Sequence, residues 1–176
     1  MEAYLLSHVE RRYYEQVWEY RRQMLEAGSS FDGCSSLDQY EDMEKWDLNC
    51  RLFESWDTVP PGYSLGFEYL YLADDRVVGM VNIRPEALSH RYLKHYGGHI
   101  GYSVIPSRRR QGIGTRMLKD ALSLCRDEFG LDKVLLTCLK DNGESRGVII
   151  RNGGEYEGDI FYPPVEEYLE RYWISL

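Results

Sequence analysis

One stretch restricts the fold of this 176-residue chain more than any other. A short apolar run, His99 to Ile105, stops at Pro106. After Ser107-Arg108-Arg109-Arg110-Gln111-Gly112 a strong helical pattern begins. Ile113, Met117, Leu118, Ala121, Leu122 and Cys125 share one face of a helix predicted over 113–129. Gly130 stops it, and Lys133–Leu139 reads as a compact buried strand. Strand, tight glycine turn, amphipathic helix and strand in succession require layered α/β packing.

The flanking pattern agrees. Val9, Tyr13, Val17, Tyr20 and Met24 recur at steps of three and four, so 9–25 is a predicted helix, with a short strand before it at 3–6. Gly28 to Ser36 reads as a loop, and 38–56 as a second helix ended by Pro60-Pro61-Gly62. Residues 65–73 and 76–84 form a hairpin about Asp74-Asp75. A weak helical spacing covers 86–96, broken by Gly97-Gly98. Residues 142–151 suit a short helix capped by Asn152-Gly153-Gly154, and two strands follow near 156–162 and 168–174. No linker or repeat divides the chain, so one domain over 1–176 is expected.

Charge narrows the function. At a net charge of −8, with Arg108–Arg110 as its one basic cluster, the chain lacks the basic face of a nucleic-acid binder. The acids crowd into 32–57, where eight face only Lys45 and Arg51. That region is either a solvated helix face or a rim that attracts a cationic amine. Fifteen tyrosines suit a cleft or a subunit contact, and equally the faces of a sheet. The four cysteines lack metal-knuckle or redox spacing, so buried free thiols in a reducing compartment are expected. No apolar stretch approaches the roughly 20 residues of a membrane span, and Met1–Glu10 has no signal-peptide pattern, so a cytoplasmic protein is expected.

The chemistry centres on Arg109 to Thr115. Gly112 and Gly114 let backbone amides approach a bulky anion at a helix N-terminus, where free N–H groups and the dipole favour phosphate. Arg109 and Arg110 can add charge-assisted bonds. A Walker loop needs Gly-x-x-x-x-Gly-Lys-Ser/Thr, which is absent. A dinucleotide fingerprint needs a third glycine where Met117 stands.

Arg109-Arg110-Gln111-Gly112-Ile113-Gly114 resembles the R/Q-x-x-G-x-G/A signature of the GNAT superfamily of N-acetyltransferases. Gly98–Pro106 resembles the family strand before that loop, Asp141–Ser145 the N-x-x-A/S segment, and Arg151–Gly154 the turn into the last hairpin. The resemblance implies a central, mostly antiparallel mixed sheet with splayed central strands and flanking helices. It implies acetyl-CoA as co-substrate, with its pyrophosphate on the amides of Arg109, Arg110, Gln111, Gly112, Ile113, Gly114 and Thr115. The pantetheine arm pairs with the backbone of Val104 and Ile105, and Asn142 and Ser145 contact it. A primary amine of a small molecule or peptide then attacks the thioester directly, with no metal.

The same resemblance puts His99 near the position where many relatives carry a basic Glu. Histidine titrates near neutrality, so His99 is a candidate base or else a structural hydrogen-bonding residue. Glu68 is a second candidate, or a solvated strand carboxylate. His90, His95 and His99 form no ligand set, because Gly97-Gly98 interrupts them and no acid completes it. Ile149 departs from the family: many relatives place there a Tyr that protonates the leaving thiolate. That departure leaves a non-catalytic acyl-CoA-binding module as the alternative to an enzyme. The 86–96 insertion could cover the substrate cleft or decorate the sheet edge, and the aromatic C-terminal strands could pair across a homodimer.

Overall fold

A computed structural model describes residues 2–176. Seven strands form two sheets in which every ladder is antiparallel. The first has order β1 (Tyr4–His8), β2 (Phe67–Ala73), β3 (Arg76–Ile83), β4 (Ile100–Val104). The second has order β5 (Lys133–Leu139), β7 (Glu167–Ser175), β6 (Glu155–Tyr162). The β2–β3 hairpin turns on Asp74 and Asp75, with φ of 47° and 63°, as a two-residue turn matched to strand twist requires.

Four helices cover the sheets: α1 (Tyr14–Glu26), α2 (Met43–Leu52), α3 (Ile113–Asp127) and α4 (Gly143–Arg151). Side chains alternate along a strand, so contacts reveal which face each helix takes. Tyr20 of α1 reaches Ser103 on one face of the first sheet. Asp120 of α3 accepts from the Tyr71 hydroxyl on the other. The apolar stripe predicted for α3, Ile113 through Cys125, is buried as expected.

Two expected helices are shorter. The 38–56 helix begins only at Met43, because the Asp42 carboxylate accepts the Glu44 and Lys45 N–H groups and caps the first turn. Tyr40 is extended, and only a short turn at Leu37–Gln39 precedes the cap. The 86–96 helix forms only in its second half: a short turn at Ala87–Ser89 and an extended His90 precede a helical stretch that starts at Arg91 and ends in a five-residue π-type turn, Leu93–Gly97.

The sheets meet at one point. His99 N–H donates to Leu135 O at 2.8 Å, and Leu135 N–H donates to His99 Nδ1 at 2.8 Å. Gly98 makes this approach possible: its φ is +63°, and a Cβ there would lie 2.5 Å from Leu135 O. Thr137 Oγ1 adds a bond to Tyr96 O at 2.6 Å. Beyond this junction β4 and β5 share no ladder, and a cleft opens between Gly101–Val104 and Thr137–Leu139.

Two outcomes are expected. Gly98→Ala forces a side chain into the Leu135 carbonyl and should lower unfolding stability by at least about 2 kcal/mol, read from the urea midpoint at constant slope. An unchanged midpoint contradicts the close approach. Burial holds His99 down at about 4, against an ordinary value of 6.5, so the unfolded chain binds a proton between these pH values that the folded chain refuses. Stability from this group is therefore present at neutral pH and falls on acidification from 6.5 to 4, by up to about 3 kcal/mol. An NMR titration should place the His99 midpoint near 4; a midpoint near 6.5 contradicts the buried junction.

Candidate active site

The cleft between β4 and β5 measures about 1550 Å³, larger than the roughly 300–1,000 Å³ typical of a small-ligand pocket. It has room for an extended cofactor and a second molecule. At one end lies the loop after β4. Arg110 at φ +60° and Gly112 at φ +78° turn the chain into α3. The first helical bond is Arg116 N–H to Gly112 O, so the N–H groups of Ile113, Gly114 and Thr115 precede the ladder. No acid sits in this first turn to occupy the positive helix end. A Cβ on Gly112 would meet no protein atom within 4 Å, and Gly114 packs against Val104 and Val148. The loop is a ready anion cradle built from backbone.

Its side chains behave differently from the expectation. Arg109 turns inward: Nε donates to Val104 O at 3.0 Å and Nη2 approaches Met24 Sδ at 3.4 Å. It braces the strand–loop corner. Arg108 pairs with Glu2 and holds the Gln111 side chain, while Arg110 pairs with Glu144 on the surface. Arg110 is the more accessible of the two arginines expected at the phosphate. The Ile113 side chain is buried, so that residue offers its amide alone.

Strand β4 forms one wall. Ile105 N–H is bonded to Val78 O, and Arg84 N–H to His99 O. Antiparallel alternation then turns the polar groups of Gly101, Ser103 and Ile105 toward β3, and those of Tyr102 and Val104 toward the cleft. Ile105 is buried away from the cleft, so Tyr102 takes the lining place expected for it. The Tyr102 hydroxyl lies 3.0 Å from Ser145 Oγ. Burial pushes the Tyr102 phenol well above its usual range, so it stays protonated at neutral pH. Asn142 caps α4 by accepting the Ser145 N–H at 3.0 Å and lines the cleft beside it. Ile149 is fully buried in the core.

Neither expected base faces the cleft. His99 is 2% exposed, and its Nδ1 lone pair is engaged by the Leu135 N–H. The ring proton therefore resides on Nε2, and no lone pair remains for an amine. Glu68 is not a solvated strand carboxylate but a buried one, 2% exposed, because the loop at Ser35 closes over it. Its Oε2 accepts from Ser35 Oγ at 2.6 Å and from Asn82 Nδ2 at 3.2 Å, while Oε1 has no partner. Burial drives its pKa well upward against those two hydrogen bonds. Of the acids in 32–57, Asp32 alone lines the cleft. Among the described residues no group of three or more His, Cys, Asp or Glu side chains is arranged to hold a metal, and no helix is long and apolar enough to cross a membrane. The four cysteines are buried free thiols.

Sequence reasoning missed Tyr102 and Arg84. Tyr102 was legible through its two-residue spacing from Val104 on one strand face. Arg84 gave a fainter signal, a lone cation closing the apolar run Val77–Ile83 before Pro85.

The chain matches the acetyltransferase (GNAT) family over residues 12–153. No curated protein matches it by sequence. Several solved structures resemble it. RimL, a ribosomal L7/L12 alpha-N-protein acetyltransferase in complex with coenzyme A, is 17% identical with a TM-score of 0.73, over 98% of this chain and 94% of that one. RimJ of Mycobacterium smegmatis, in complex with CoA-disulfide, is 19% identical with a TM-score of 0.74, over 98% and 81%. The microcin C7 self-immunity acetyltransferase MccE, in complex with acetyl-CoA and AMP, is 14% identical with a TM-score of 0.73, over 98% and 92%. At these identities the likeness is one of fold. The family match spans most of the chain and includes the glycine loop, β4 and α4, and the chain belongs to the GNAT acetyltransferase family.

Proposed function

We propose that the protein is an N-acetyltransferase that moves the acetyl group of acetyl-CoA to a primary amine by direct attack. The observation that carries this reading is the unpaired amide cradle of Ile113–Thr115 opening into the β4–β5 cleft. The residues present fit the cofactor. The amides and the positive end of α3 suit a pyrophosphate, and the outward polar groups of Tyr102 with the Val104 N–H suit an extended amide-bearing arm. That arm would carry the thioester from the loop toward the start of β4.

The chain's own groups then divide the work. The Tyr102–Ser145 hydroxyl pair takes the role that Ile149 cannot fill, as donor to the departing thiolate. A protonated phenol held in a half-enclosed site suits this role. Asp32, on the acceptor side of the cleft, draws the ammonium form of the amine, which releases its proton to water before attack. The N–C bond forms as the C–S bond breaks. His99 serves the junction and Glu68 the packing of the loop at Ser35, so neither takes part. A hydroxyl pair inside the cleft favours an enzyme over a non-catalytic acyl-CoA module. Homodimer pairing is part of this reading through β6, the free edge of the second sheet, where Tyr156 and Phe161 are exposed.

A thiol assay of CoA release over an amine panel tests the activity. Tight acetyl-CoA binding with no release on any amine supports the module instead. Gly112→Val places a branched side chain at φ +78° beside the cradle, in open space. It should weaken CoA binding at least about tenfold, by calorimetry, while the protein stays folded. Normal CoA affinity contradicts the cradle. Tyr102→Phe should lower kcat by at least about tenfold with little change in KM for acetyl-CoA. An unchanged kcat removes the hydroxyl pair from the chemistry.

A further inference from the structure

Arg84 follows the last residue of β3 and reaches into the end of the cleft opposite the anion cradle. Its backbone N–H bonds His99 O at the start of β4, whereas the cradle follows the end of β4. The five extended residues of β4 separate the two by roughly 16 Å. The guanidinium is wedged between two glycines. Nη2 donates to Gly97 O at 3.1 Å and would stand 3.0 Å from a Cβ on Gly101; Nη1 would stand 3.6 Å from a Cβ on Gly97. A larger residue at Gly101 would crowd the group, whereas at Gly97 the guanidinium is only at ordinary contact distance.

This cation is poorly compensated. Its Nε is buried without a hydrogen-bond partner, and among the described residues Arg84 forms no salt bridge. Asp32 and Glu68 are the acids near enough to act on it. Burial works against a charge on Glu68, and Asp32, whose carboxylate accepts from Ser30, makes no ion pair with Arg84. Burial lowers the Arg84 pKa, yet a guanidinium remains charged at any working pH. A desolvated cation with donors to spare, beside an open cleft, lacks the anion that normally accompanies such a group. Tyr92, Tyr96 and Tyr162 wall the same end, with the Tyr92 and Tyr162 hydroxyls 2.8 Å apart.

We propose that Arg84 anchors a carboxylate of the acceptor, so that the amine acetylated belongs to an amino acid. This inference rests on the N-acetyltransferase reading. The carboxylate pairs with the free donors of Arg84, the side group lies against the tyrosine wall, and the amine points back along β4 toward Tyr102. Attack forms the N–C bond and breaks the C–S bond; the amine's proton passes to water and the thiolate takes one from the hydroxyl pair. A polyamine has no group for Arg84, and a protein N-terminus presents its nearest carboxyl as an amide.

The test compares glycine, phenylalanine, lysine and glutamate with their α-carboxamides, rates being corrected for the free-amine fraction. Wild type should favour the acids by at least about tenfold in kcat/KM, through KM. Arg84→Gln should erase the preference, and Arg84→Lys should restore part of it. Equal use of the amides, or better use of spermidine or a peptide amide, overturns the assignment while thiol release still upholds the acetyltransferase reading. A second arm needs neither turnover nor a variant. In wild-type protein with CoA, the Arg84 Nε–H resonance should shift with N-acetylphenylalanine and stay put with N-acetylphenylalaninamide. No shift with the acid overturns the assignment. Absence of CoA binding removes the acetyltransferase reading, and the resonance still decides on Arg84.

Discussion

The architecture depends on the two hydrogen bonds between His99 and Leu135. A sheet normally continues by adding a ladder, and here the ladder stops after one contact. The imidazole takes the Leu135 N–H that a further backbone carbonyl would otherwise accept. Gly98 lets the chains touch there, and the direction of β4 and β5 beyond that point opens the cleft. A buried neutral histidine is a costly choice at low pH, and the junction needs it neutral because Nδ1 must keep its lone pair.

Once the strands part, the edge of β4 is left with polar backbone groups that no protein strand satisfies. Unmet backbone polarity inside a domain is costly unless a ligand or water meets it. Under the proposed function an extended, amide-bearing arm meets these groups along Tyr102–Val104, and an anion meets the first turn of α3. Both demands arise from backbone, which is why few side chains of the glycine loop take part. Arg109 is used to hold Val104 O and so fixes the corner from which β4 passes into the cradle.

Much of this was legible in the sequence. The bounds of β5, the apolar face of α3, the turn at Asp74-Asp75 and the glycine loop all follow from local periodicity and turn chemistry. What failed was direction and burial. Helix α2 is shorter than its apolar stripe because the stripe runs past the Asp42 cap that decides where the helix starts. Glu68 looked solvated because strand alternation cannot foresee a distant loop, carrying Ser35, folding over it. His99 looked like a base because its partner, Leu135, lies on another strand and offers no local signal. Ile105 and Arg109 turn away from the cleft for the same reason: which way a strand residue's amide or a loop arginine points is settled by β3 and α1.

The most direct test of the account is a crystal structure of the complex with CoA. The pyrophosphate should sit on the amides of Ile113, Gly114 and Thr115, the arm should pair with the outward backbone of Tyr102 and Val104, and the sulfur should lie within hydrogen-bonding reach of the Tyr102 hydroxyl. A pyrophosphate held by side chains elsewhere, or a sulfur lying against His99, would contradict it.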